Sequence, residues 1–112
     1  MPRNWQLRIE DILESIARIQ RYLEGMGQAR FMGDDRTMDA VVRNFGIIGE
    51  AVSHLPEAVL VVHPEIPWSR MKGLRNFVIH EYFGVSPELL WSTANEDLPP
   101  LVRLLESMLK KT

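Results

Sequence analysis

Ile9-Glu10-Asp11-Ile12-Leu13-Glu14-Ser15-Ile16-Ala17-Arg18-Ile19-Gln20-Arg21-Tyr22-Leu23 decides the fold class of this chain. Ile9, Ile12, Leu13, Ile16, Ile19 and Leu23 recur at spacings of three and four, while Arg8, Glu10, Asp11, Glu14, Arg18 and Arg21 take the remaining face. That is the period of an amphipathic helix with one side to bury. Gly25 and Gly27 then supply stop signals, and Gln28 to Gly33 reads as a connection.

The same period returns after Asp34 or Asp35, either of which can cap a second helix with apolar positions Met38, Val41, Val42, Phe45, Ile48, Val52 and Leu55. Gly46 and Gly49 lower helix propensity inside it. They mark either a close approach of another helix or two tolerated glycines. Glu50 and His54 stand one turn apart and can pair. Pro56, Pro64 and Pro67 interrupt the next region. Val59 to Val62 has strand-like composition, but the chain offers no partner strand, so Glu57 to His63 is expected to form a short helical turn. Pro67 suits the first turn of a third helix reaching Tyr82 and ended by Phe83-Gly84. Ser86-Pro87-Glu88 starts a further helix, with a capping hydroxyl, a proline and an acid in the first turn. Asp97, Pro99 and Pro100 reset the chain before a last amphipathic helix closed by Lys110 and Lys111. The expectation is an all-α antiparallel bundle of four main helices plus one short helix, a single domain over residues 1–112.

At 112 residues and 46% hydrophobic, the chain can bury a core without staples. It contains no cysteine, which excludes disulfides, a thiolate nucleophile and cysteine metal sites. The N-terminus is unlike a signal peptide, and the longest aliphatic run, Ala58 to Val62, is too short to cross a bilayer. A cytoplasmic protein without a membrane partner is expected. The net charge of −2 argues against a broad polyanion binder, yet Ile66 to His80 holds Arg70, Lys72 and Arg75 and no acid. A local basic patch of that kind suits a brief encounter with a phosphate-bearing substrate.

That patch runs into Arg75-Asn76-Phe77-Val78-Ile79-His80-Glu81-Tyr82. Arg75 can grip a phosphate with a planar fork of donors, and His80 can exchange protons near neutrality. On a continuous helix, Arg75 and His80 stand about 140° apart, so they are no side-by-side pair. Lys72, Asn76 and His80 would form one polar stripe, with Leu74, Phe77 and Val78 facing inward. His80-Glu81 begins like a zinc-protease motif, but Gly84 stands where the second histidine is required, and His54 and His63 lack ligand spacing. No metal or other cofactor is expected. Trp5, Trp68 and Trp91 read as packing groups.

Arg75-x4-His80-x-Tyr82, with Asn76 after the arginine and the longer context Pro67-Trp68-(x5)-Leu74-Arg75-Asn76-(x3)-His80-Glu81-Tyr82-Phe83-Gly84, resembles the HepT-like branch of the HEPN superfamily. Gly49-Glu50-Ala51 and Asp97-Leu98-Pro99 extend the likeness over most of the chain. The resemblance implies an all-α homodimer with the motif helices meeting at a cleft, acting as a metal-independent endoribonuclease and as the toxin of a type VII toxin–antitoxin pair. It implies a partner, an MntA-type nucleotidyltransferase that neutralises the toxin by adding AMP to the motif tyrosine. Carried onto this sequence, it makes Arg75 and His80 catalytic, Asn76 supporting and Tyr82 the modified residue. Lys72, Arg70 and Glu50 are expected to border the substrate. The competing function class is a catalytically silent helical module that binds a nucleotidyltransferase or nucleotides through the same cleft.

Overall fold

The structure, a computed structural model, describes residues 4–80 and 86–110, with the side chains of Ile79 and His80 outside the description. Every regular element among the described residues is helical. In order they are α1 (Trp5–Leu23), α2 (Gln28–Met32), α3 (Asp35–Ser53), α4 (Glu57–Val61), α5 (Trp68–Lys72), α6 (Arg75–His80), α7 (Pro87–Ser92), a π-helical turn (Thr93–Asp97) and α8 (Pro99–Lys110). The expected short helix after Pro56 is α4, whereas the connection expected at Gln28 is itself a helical turn.

The isoleucine stripe of α1 does what its period demands: Ile9, Ile12, Ile16 and Ile19 have no exposed surface. Opposite it lie Val41, Phe45 and Ile48 of α3, and α1 and α3 form the largest helix pair. The other flank of α1 is covered by α8 through Leu105 and Met108, while α3 also carries α5 and α6. Thus α3 is the hub, buried against α1 on one side and supporting the motif segment on another. Trp68 is buried, Trp5 and Trp91 pack against the core, and Phe31 meets Trp91 at 5.3 Å between ring centres. The tryptophans are packing groups.

Local chemistry sets the ends. Asn4 caps α1 by accepting the Leu7 N–H at 3.0 Å, and Gly25 follows its last turn with φ of 72°, the left-handed region that favours glycine. Ser86 caps α7 as expected, accepting the Leu89 N–H, with Pro87 opening the helix. Pro99 and Pro100 have no N–H to donate, and the last bond before them, from Leu98 N–H to the Thr93 carbonyl, spans five residues. The wide π turn therefore carries α7 into α8 where a simple reset is expected.

Of the two candidate caps for α3, Asp34 is used. One carboxylate oxygen accepts the Thr37 N–H at 3.0 Å and the other accepts the Thr37 hydroxyl at 2.7 Å. The hydroxyl bond, then the backbone bond, holds its pKa below the ordinary value. A lowered folded pKa means the contribution is present at neutral pH and lost as the pH falls through that value. Asp34→Ala is expected to be less stable than the parent in urea at neutral pH, with the difference closing in strong acid. An equal gap at both pH values would show that the carboxylate charge is not what caps α3.

Candidate active site

The single helix expected from Pro67 to Tyr82 is two helices. Pro67 precedes α5 as its cap rather than entering its first turn, and the Trp68 indole N–H donates to the His63 carbonyl at 3.0 Å, pinning the start. At Gly73 and Leu74 the backbone tightens: Leu74 N–H bonds to Met71, Asn76 to Gly73 and Phe77 to Leu74, all three-residue steps. This 3₁₀-like joint ends α5 at Lys72 and begins α6 at Arg75. The expected C-terminal part of that helix, including Tyr82 and its Phe83-Gly84 stop, lies outside the described residues.

The joint lies on α3 at two glycines. A Cβ at Gly49 would collide with the Arg75 Cγ and would stand 2.9 Å from both the Arg75 nitrogen and the Lys72 carbonyl oxygen. One at Gly46 would stand 2.8 Å from the Val78 Cγ2. The glycines thus mark a close helix approach. Phe77 completes it, meeting Phe45 edge-on at 5.0 Å. Leu74 and Phe77 face inward as expected, but Val78, whose Cγ2 lies over Gly46, keeps 39% of its surface exposed.

Past Gly49 the Arg75 side chain reaches Glu50, with Nε 3.6 Å from Oε2. The other oxygen of Glu50 is 3.5 Å from His54 Nδ1, and that nitrogen also lies 2.8 Å from the Glu50 carbonyl oxygen. Glu50 therefore stands between an arginine and a histidine. The Arg75 side chain is 46% exposed and that of Glu50 55%. An ion pair so wet and so long holds weakly, about 0–1 kcal/mol, and a phosphate oxyanion can take its place.

Lys72, Arg75 and Asn76 line one open depression of about 300 Å³ with Ser69. Arg70 is not part of it. It lines a separate, larger groove of about 510 Å³, with apolar walls from Met71, Leu74, Phe77 and Leu101 and with Glu96 and Asp97 at its edge. Two residues along a helix are about 200° apart, so Arg70 and Lys72 cannot share a face. The basic patch of the sequence is two patches. The α6 backbone continues to His80, whose side chain is outside the described residues. Among the described residues no cluster of His, Cys, Asp and Glu could hold a metal ion, and no helix is long and apolar enough to cross a membrane.

The sequence reading missed Asn44, a buried residue one turn before Ile48. Its amide donates to the Ala40 carbonyl at 2.9 Å, and its oxygen accepts no hydrogen bond among the described residues. An asparagine within an apolar stripe was the available signal.

Residues 12–108 match the family described as ribonuclease HepT-like. This chain belongs to that family. It is 39% identical over 110 residues to the "Probable ribonuclease HepT" of Thermococcus cleftensis, covering 98% of this chain and 100% of that one. A Methanocaldococcus jannaschii protein named "Putative RNase MJ0127" is 36% identical over 100 residues, 89% of this chain and 83% of the relative. One of Caldanaerobacter subterraneus named "Putative RNase TTE0752" is 34% identical over 103 residues, 92% of each. No solved structure matches the chain. In this HepT-like chain, the matched residues include α3 and the Arg75 segment that crosses it at Gly46 and Gly49.

Proposed function

We propose that this HepT-like protein is a metal-independent endoribonuclease acting as the toxin of a toxin–antitoxin pair. The observation that carries the reading is the family match over residues 12–108, which spans the Arg75-x4-His80 segment, with Arg75 half-exposed above Gly49. RNA brings its own nucleophile, so the protein needs a base, an acid and a cation. One base takes the 2′-hydroxyl proton, the oxygen attacks phosphorus, the bond to the 5′-oxygen breaks, and an acid protonates that leaving oxygen. The products are a 2′,3′-cyclic phosphate and a 5′-hydroxyl.

His80 exchanges the protons and Arg75, leaving Glu50, stabilises charge developing on the phosphate. Asn76 and Lys72 share the depression with Arg75 and hold the strand. Arg70 contacts RNA only where the strand leaves that depression. A single histidine does not serve as base and acid in one step, so a homodimer that faces two copies of the segment across one cleft completes the site. An MntA-type nucleotidyltransferase switches it off by placing AMP on Tyr82, which adds bulk and negative charge two residues from His80.

Purified protein is expected to cut a labelled RNA in the presence of a chelator, leaving cyclic phosphate ends and sparing the 2′-O-methyl strand. Cleavage that needs an added divalent ion, or that leaves 5′-phosphates, would overturn the mechanism. Co-expression with the nucleotidyltransferase is expected to raise the mass of the Tyr82 peptide by AMP units. An unmodified Tyr82 in a fully neutralised complex would remove that arm.

A further inference from the structure

Across the Arg75–Glu50 pair from Lys72 and Asn76, a second depression of about 360 Å³ opens where α1, α3 and α6 meet. Ile47 and the exposed Val78, with the bare backbone of Gly46 between them, make its floor apolar. Arg8 of α1 and Arg43 of α3 stand in its lining, as do Asp11 and Glu50. The charges are not equivalent. Glu50 keeps His54 beside it at 3.5 Å when Arg75 turns from it to a phosphate, and Asp11 has an interaction of its own. Arg8 and Arg43 make no ion pair among the described residues.

Two guanidinium groups with no ion pair among the described residues, beside an apolar floor, match the two halves of a nucleotide. A base lies on aliphatic surface or stacks on an arginine plane, while its phosphate takes the charge. Register supports this: Arg43 and Glu50 are seven residues apart, on one face of α3 and separated by about 10 Å along its axis. Arg75 reaches the Glu50 end and Arg43 stands at the other, so the two cations are set along a line that an extended strand can follow. In a chain of net charge −2, two such arginines flanking the candidate site carry more weight than in a basic protein.

We propose that this depression is a nucleotide subsite, in which Arg8 and Arg43 hold the backbone of the RNA strand next to the phosphate at Arg75 and the Ile47–Val78 floor receives a base. The proposal rests on the ribonuclease reading, and its test separates the two. The parent and an Arg8→Gln/Arg43→Gln variant of the full chain are titrated against a fluorescent 2′-O-methyl RNA, which lacks the nucleophile, over a range of salt. The variant is expected to bind about tenfold more weakly, and its salt slope to fall by roughly 1.4, from about 0.7 for each of two lost single-strand phosphate contacts.

Equal affinity and equal slope would overturn the subsite while leaving cleavage by the parent intact. Binding that depends on Arg8 and Arg43 in a parent that cuts no RNA would keep the subsite and sink the ribonuclease. A parent that does not bind the probe overturns the subsite outright. Sedimentation of both proteins closes the remaining route: a variant that loses self-association, with RNA binding unchanged per dimer, assigns this face to a second copy and overturns the proposal.

Discussion

His80→Ala is expected to slow RNA cleavage by about 10²–10⁴-fold, the usual worth of a general acid or base, while the circular dichroism and melting curve stay those of the parent. Arg75→Ala is expected to cost about 10²–10³-fold, the range for losing one preorganised donor to a developing oxyanion. Its side chain is nearly half exposed and its partner Glu50 is exposed, so the loss falls on chemistry more than on folding. Arg75→Lys is expected to recover only part of the rate, because a point charge replaces a planar fork. The two residues are five apart on α6, about 140° around its axis, so they do not act side by side, and the proposed mechanism draws its second histidine from a second copy. A mixed dimer with one His80→Ala copy is therefore expected to be nearly as slow as the double variant. Cleavage by His80→Ala at the parental rate, with contaminating nuclease excluded, would end the acid–base assignment.

Gly49→Ala is expected to destabilise the protein by about 1–3 kcal/mol and to lower cleavage beyond what the lost folded fraction explains. Within an exposed helix the same change would stabilise by up to about 1 kcal/mol, since alanine is the better helix former. Here the added methyl meets the backbone nitrogen of Arg75 and the carbonyl oxygen of Lys72, each 2.9 Å away, and backbone atoms at a helix joint have no rotamer to change. Relief requires lifting α6 off α3, which moves Arg75 with it. Gly46→Ala provides the comparison. Its close neighbour is the Cγ2 of the half-exposed Val78, which can turn toward solvent, so a smaller loss is expected. Urea melts of the two variants check the order, and an unchanged Gly49→Ala midpoint would show that the crossing is looser than these distances.

Which parts could be read without coordinates follows from how local their causes are. The stripes of α1, α3 and α8, the Ser86 cap and the Gly25 stop each depend on residues within a few positions, and they were legible, whereas the choice of Asp34 over Asp35 as the α3 cap was not. The joint at Gly73 and Leu74 was not. A lone glycine in a helical pattern is compatible with a continuous helix, and Pro67 can open a helix as well as cap it. The division of Arg70 from Lys72 follows from helix geometry, but the two separate depressions depend on α7, the π turn and α8 arriving on Arg70's side.

The candidate site divides along the same line. Sequence alone determined the all-α class, the family resemblance and the residue types able to work on a phosphodiester, because period, capping and motif spacing are properties of neighbouring residues. Only the tertiary structure decided that Gly49 seats Arg75, that Glu50 meets it, and that Arg8 and Arg43 stand beside the same crossing. Those relations join α1, α3 and α6, whose residues lie tens of positions apart, and they are set by how closely two backbones approach.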